Sequence, residues 1–316
     1  FGLLLLLLGG KMLVSGASGI ALTMGIPRVV VGMTAVAFGT SAPELAVSLL
    51  GAVKGNPGIT FGNVVGSNIA NIGLLLGLTS IVRRLEVESV IITREIPMML
   101  LSCGAVLALA LDSWHSISPD IISRGDGFML LLLFAVFLYY TTWDLRREMH
   151  KDSFVEEAKH EIFWKTFRKF GPLAALIVFG IAALVLGGHL LVDSAANIAR
   201  TAGVPELVIG ASLIAIGTSL PELVTCIYAA WKGMPDLVVG NIVGSNIFNT
   251  LLILGCTSAV TPVPVPQGAY IDLWGMSFLS CLLLVLSITE KRVITRAEGA
   301  GLVFAYSWYA LWLAGR

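Results

Sequence analysis

The sequence predicts an all-α membrane protein of ten transmembrane helices arranged as two inverted five-helix repeats. Three observations lead there. Apolar runs of spanning length recur along all 316 residues, of which 56% are hydrophobic and 13% charged, with a mean hydropathy of +0.89. A soluble domain carries about 25% charged residues. Residues 9–82 align with residues 187–260 at a constant offset of 178 without a gap, and half of the aligned positions are identical. Five expected spans separate equivalent points of the two copies; because five is odd, the second copy enters the bilayer from the opposite side. That is the inverted-repeat plan of secondary transporters, with the substrate site at the repeat interface near the bilayer midplane.

The expected spans are 1–22, 28–53, 58–82, 95–111, 126–143, 172–199, 205–231, 235–260, 268–289 and 296–314. Each is close to the roughly 20 residues that cross a hydrocarbon core. The opening "FGLLLLLLGGKML" has no basic segment ahead of its apolar run, so it reads as the first span and not as a signal peptide. Turns such as "KGNPG" at 54–58 and "KGMPD" at 232–236 separate neighbouring spans. Residues 1–143 form the first five-helix repeat (core 28–82), 144–171 a linker, and 172–316 the second repeat (core 205–260). The polar stretch from Trp143 to Gly171 holds seven of the twenty Lys and Arg. With the N-terminus outside, fifteen basic residues fall in cytoplasmic loops and four outside, which places both termini outside and the central loop in the cytoplasm of a multi-pass cell-membrane protein. Zero net charge gives no reason to expect nucleic acid as a partner. Cys103, Cys226, Cys256 and Cys281 all lie in apolar segments without paired spacing, as packed thiols and not as disulfides or a zinc site.

Two carboxylates stand out. "FGTSAPELAVS" at 38–48 and "IGTSLPELVTC" at 216–226 each put a glutamate beside a proline inside an apolar segment. Thr40, Ser41 and Glu44 share one helix face, as do Asn63, Ser67 and Asn71 in the next segment. The second copy supplies Thr218, Ser219 and Glu222, then Asn241, Ser245 and Asn249. Pro43 removes an N–H and interrupts the helical ladder, which frees nearby carbonyls; irregular backbone is tolerated at membrane depth only where it lines a cavity. Intramembrane acids are functional by default. Two inverted copies bring these groups together as an all-oxygen cage with two formal negative charges. Calcium takes about 6–8 oxygen ligands, and no His or Cys is at hand for zinc, copper or iron. Two glutamates are neutralised by one Ca²⁺ or by at least two Na⁺. For Asn63, Asn68, Asn241 and Asn246, ligation and simple bridging between helices stand as equal readings. Asp112, Asp126, Asp193 and Asp272 read as anchors near span ends.

"GTSAPEL…GNVVGSNIAN" and "GTSLPEL…GNIVGSNIFN" resemble the two α-repeats of the sodium/calcium exchanger branch of the cation/calcium exchanger superfamily, across both repeats and the ten-span plan. The resemblance implies a secondary-active antiporter that exports Ca²⁺ in exchange for Na⁺ by alternating access, with its first and sixth helices sliding as a bundle against the rest. It implies side-chain ligation by Glu44, Glu222, Ser41, Ser219, Ser67 and Ser245, with Asn71 and Asn249 lining the site and carbonyls from Ala37, Thr40, Ala215 and Thr218. Some members, the potassium-dependent branch included, carry aspartate where this chain has Asn249, so no potassium requirement is expected. Proton-coupled relatives usually lack the GTSxPE form.

A Ca²⁺/H⁺ or other cation/H⁺ antiporter is the nearest alternative and a cation channel a more distant one. Neither H-E-x-x-H nor a His beside a Ser nucleophile is found, so no enzyme and no cofactor is expected. Lys11 lies inside the first span opposite repeat partner His189, and reads as a snorkelling lysine ahead of one that faces the ion path. The central loop, with Glu156, Glu157, His160 and Glu161, lacks EF-hand spacing and reads as an interfacial linker. Each chain holds both halves of the site, so a monomer is expected, with Ca²⁺, Na⁺ and the lipid bilayer as its partners.

Overall fold

The computed structural model describes residues 1–24, 26–110, 120–151, 159–201, 206–266, 268–289 and 292–314, with backbone only for 144–151, 159–169, 195–196, 199–200 and 206–216. The helices are α1 (Gly2–Met24), α2 (Arg28–Thr40), α3 (Ala42–Val53), α4 (Gly58–Val82), α5 (Ile91–Leu109), α6 (Arg124–Lys151), α7 (Lys159–Thr201), α8 (Glu206–Trp231), α9 (Pro235–Val260), α10 (Ala269–Ile288) and α11 (Arg296–Ala314). Two ribbons of two-residue strands complete it: β1 (Leu85–Glu86) with β4 (Val293–Ile294), and β2 (Ile121–Ile122) with β3 (Val263–Pro264), both antiparallel. This is an all-helical membrane protein. Among the described residues seven helices are long and apolar enough to cross a membrane, or eight when α2 and α3 are one span bent by 42°. α8 and α11 stand where the seventh and tenth spans are expected but outside that count; α11 interleaves Tyr306, Ser307 and Tyr309 with its apolar residues. The central stretch is more helical than a surface linker, since α6 continues to Lys151 and α7 begins at Lys159.

Several local contacts occur in matching pairs in the two halves of the chain. Leu85 pairs with Ile294, and its repeat partner Val263 pairs with Ile122. Ser123 and Asp126 form a capping box at the start of α6, and Thr295 with Glu298 forms the same box at the start of α11. α5 packs on α10, where Cys103 Sγ stands 3.5 Å from Ser280 Oγ.

α1 and α7 touch through glycines seven residues apart. A Cβ on Gly2 would stand 2.8 Å from the Gly187 carbonyl oxygen, one on Gly9 2.8 Å from the Gly180 oxygen, and one on Gly16 2.8 Å from the Leu173 oxygen. The partner numbers fall as the α1 numbers rise, so the two helices run antiparallel with backbones in direct contact, as small residues permit in membranes. Lys11 and His189 are both exposed on this pair. The core lies elsewhere: the most apolar window of α9 is 94% buried and that of α4 72%, against 22% for α7. Large apolar side chains such as Leu7, Phe128, Leu132, Phe179, Phe304 and Trp308 remain exposed on the outside, the surface that hydrocarbon covers.

Candidate functional site

The two core helices and their neighbours put the duplicated motifs face to face. α2 ends at Thr40, the chain bends at Ser41, and α3 starts at Ala42 with Pro43 in its first turn. Proline fits there because its missing N–H has no partner to lose. Glu44 therefore sits in the first turn of α3, where the helix dipole favours a negative charge. The second copy differs. α8 is one helix from Glu206 to Trp231 with Pro221 inside it, so the interruption expected at both prolines occurs only at Pro43. A proline costs a single ladder bond and the packing around α8 carries the helix through.

Thr40, Ser41, Glu44, Ser67, Asn71, Thr218, Ser219, Glu222, Ser245 and Asn249 are all buried, each glutamate at 2% exposure. Ser41 Oγ donates to Glu222 Oε1 at 3.2 Å. The Thr40 hydroxyl also lies against Glu222, and the Thr218 hydroxyl against Glu44, a reciprocal exchange. The second carboxylate oxygen of each glutamate has no partner, nor have the Oδ1 atoms of Asn71 and Asn249 or Oγ of Ser245. These five are the majority of the eight buried side-chain N and O atoms without a hydrogen-bond partner among the described residues. The Ala37 carbonyl accepts the Ser41 N–H at 3.0 Å and the Thr40 hydroxyl at 3.4 Å. Ala215 lies in α8, and its surroundings fall outside the described residues.

Such a cluster is expensive as it stands. Each buried carboxylate without a counter-charge costs several kcal/mol, and two close together repel. A cation among the orphaned oxygens offsets both terms. The unpartnered atoms of the cluster are all oxygens, the ligand type a hard cation takes. Among the described residues no three His, Cys, Asp or Glu gather elsewhere as a metal site.

The four open asparagines make bridges. Asn63 Nδ2 donates to the Glu44 carbonyl at 3.3 Å and to Ser48 Oγ at 3.0 Å; its counterpart Asn241 donates to Cys226 Sγ at 3.2 Å. Asn68 and Asn246 bond across the repeat interface. Missed from sequence is Thr250, which donates to Ser102 Oγ at 2.9 Å and ties α9 to α5. Its first-repeat counterpart is Ile72, so the repeat pattern carried no signal for it. Also missed is Glu95, 1% exposed at the start of α5 and paired with Arg94. Asp126 is a helix cap, Asp272 accepts from Tyr309 Oη at 2.9 Å, and Asp193 is exposed; Asp112 lies outside the described residues. On one flank a notch of about 180 Å³, too narrow to seat a water molecule, is lined by Phe38, Ser41, Leu45, Phe248, Leu252 and Ile253. Phe248 anchors its rim by contacts with Phe38, Phe134 and Phe137.

The family model described as "Sodium/calcium exchanger protein" matches residues 1–143 and 172–315. The chain belongs to that family. It is a transporter family, not an enzyme class. The "Inner membrane protein YrbG" of Escherichia coli (strain K12) is 35% identical over 318 residues, spanning 99% of this chain and 94% of the relative. The "Sodium/calcium exchanger MaX1" of Methanosarcina acetivorans is 30% identical over 337 residues, 96% of this chain and 94% of its own length. Among solved structures, the sodium-calcium exchanger NCX_Mj soaked with 10 mM Na⁺ and zero Ca²⁺ superposes with a TM-score of 0.82 at 30% identity, covering 98% of this chain and 95% of that one.

Proposed function

We propose that this exchanger-family chain is a secondary-active antiporter that exports Ca²⁺ in exchange for Na⁺ by alternating access, using one mid-membrane site built on Glu44 and Glu222. The observation that carries the reading is that both glutamates, Asn71, Asn249 and Ser245 each keep a buried oxygen without a partner. Ser41, Ser219, Ser67, Thr40 and Thr218 complete the site, with carbonyls from Ala37, Thr40, Ala215 and Thr218. One Ca²⁺ satisfies the two negative charges, and so do at least two Na⁺; competition for the same oxygens couples the fluxes. Asn249 leaves the site with two acids, so K⁺ is not required.

Family membership and the antiparallel run of α1 along α7, which are equivalent helices of the repeat, support a ten-span inverted plan. In it, residues 1–143 and 172–316 are the two repeats and 144–171 a cytoplasmic linker. The surplus of basic residues supports termini outside, and the named relative in Escherichia coli supports an inner-membrane location. The glycine contacts bind α1 to α7 as a unit able to slide against the core, with Lys11 and His189 snorkelling to the interfaces. One chain is sufficient for one site.

A Ca²⁺/H⁺ antiporter is the second reading, since carboxylates with unpartnered oxygens also accept protons. Proteoliposomes separate the two: uptake of ⁴⁵Ca²⁺ should follow an outward Na⁺ gradient and ignore a pH gradient of the same size. Uptake driven by the pH gradient alone reverses the choice, and uptake with neither gradient means a channel.

A further inference from the structure

Asn68, Asn71, Asn246 and Asn249 form a closed set at the contact of α4 and α9. Asn249 Nδ2 donates to Asn68 Oδ1 at 3.0 Å, and Asn71 Nδ2 donates to Asn246 Oδ1 at 2.9 Å. Under the repeat offset these are the same bond made twice. The acceptors are held in turn: Asn68 Nδ2 donates to the Asn246 carbonyl at 3.4 Å and faces Met276 Sδ at 3.5 Å, while Asn246 Nδ2 faces Met99 Sδ at 3.6 Å. Asn68 and Asn246 are both 0% exposed, so their bonding cannot be exchanged for water.

A side-chain amide offers a cation either an oxygen or an NH₂ group, and only the oxygen binds. Rotation by 180° about the last side-chain bond swaps them, and the two faces are similar in shape. At Asn249 and Asn71 the NH₂ end is occupied by the oxygen of the neighbouring asparagine, and Oδ1 is the end left without a partner. Turning either amide over would set oxygen against oxygen in a buried space, at the cost of a lost hydrogen bond and a repulsion. We propose that Asn68 and Asn246 are positioning residues that hold Asn249 and Asn71 with their oxygens toward the ion. Two neutral amides thereby serve as cation ligands, and the site keeps a charge that either one Ca²⁺ or two Na⁺ balances. This rests on the exchanger reading above. It also assigns the Asn of each "GSNI" a role that does not require it to touch the ion.

The test is epistasis. A carboxylate presents oxygen in either rotamer, so an aspartate at position 249 has no need of Asn68. In Na⁺-driven ⁴⁵Ca²⁺ uptake, Asn68→Ala should raise the KM for Ca²⁺ about tenfold and leave the maximal rate within about twofold, as expected for loss of one oriented ligand. On an Asn249→Asp background, Asn68→Ala should change KM by less than about twofold relative to that background. Asn246→Ala with and without Asn71→Asp is the mirror arm, and serves if one pair is too unstable to purify. Equal penalties in both backgrounds would mean that Asn68 and Asn246 only pack the helices, and would overturn the proposal while leaving the exchanger intact. A wild-type protein that takes up no Ca²⁺ on a Na⁺ gradient would overturn the exchanger reading and the positioning role with it.

Discussion

The first GTSxPE copy bends by 42° at Ser41 and lifts Glu44 into the first turn of a new helix, whereas the second stays one continuous helix through Pro221 and leaves Glu222 in mid-helix. The two motifs differ at one position, Ala42 against Leu220, so local sequence does not dictate two backbones. The surroundings do. Ser41 donates to Glu222 and lines a notch with Phe38, Leu45, Phe248, Leu252 and Ile253.

The deepest test of the comparison is charge. Glu44→Gln and Glu222→Gln should each cut Na⁺-driven Ca²⁺ uptake at least about 100-fold, because both backbones serve one cage and neither acid is spare. A variant that keeps near-normal flux would show the two halves to be unequal partners. Next comes the shared frame. A Cβ on Gly180 would stand 2.7 Å from the Leu13 backbone nitrogen, so Gly180→Ala should destabilise by about 1–3 kcal/mol, read as a lower melting temperature in detergent. Gly66→Ala meets no atom within 4 Å and should be near neutral. Equal melting points would mean that the α1–α7 contact is not tight. A smaller effect separates the serines: Ser41→Ala loses a hydrogen bond to a carboxylate, and its KM for Ca²⁺ should rise about tenfold. Smallest is Cys226→Ser, which installs the first-repeat residue Ser48 and keeps an acceptor for Asn241; transport should stay within about twofold.

Much of this was legible in the sequence because duplication marks what burial alone does not. A lone glutamate in an apolar run is ambiguous; Glu44 and Glu222 at an offset of 178, each with its Thr, Ser and Asn, are not. Of the polar side chains picked on that basis, Thr40, Ser41, Glu44, Ser67, Asn71 and their second-copy partners are buried in the structure, and Asn63 is half-buried. The bend was read one-sidedly, since a proline states where a ladder bond is missing and not whether packing lets the helix yield. Thr250 was invisible because its role arises from Ser102 on another helix.

The central claim is that two glutamates hold one Ca²⁺ in competition with Na⁺. Equilibrium binding of ⁴⁵Ca²⁺ to the purified protein tests it most directly, titrated against Na⁺ in wild type, Glu44→Gln and Glu222→Gln. The account predicts a single site whose Ca²⁺ affinity falls as Na⁺ rises, and no measurable binding in either variant. Binding that persists in one variant, or that is indifferent to Na⁺, would contradict it.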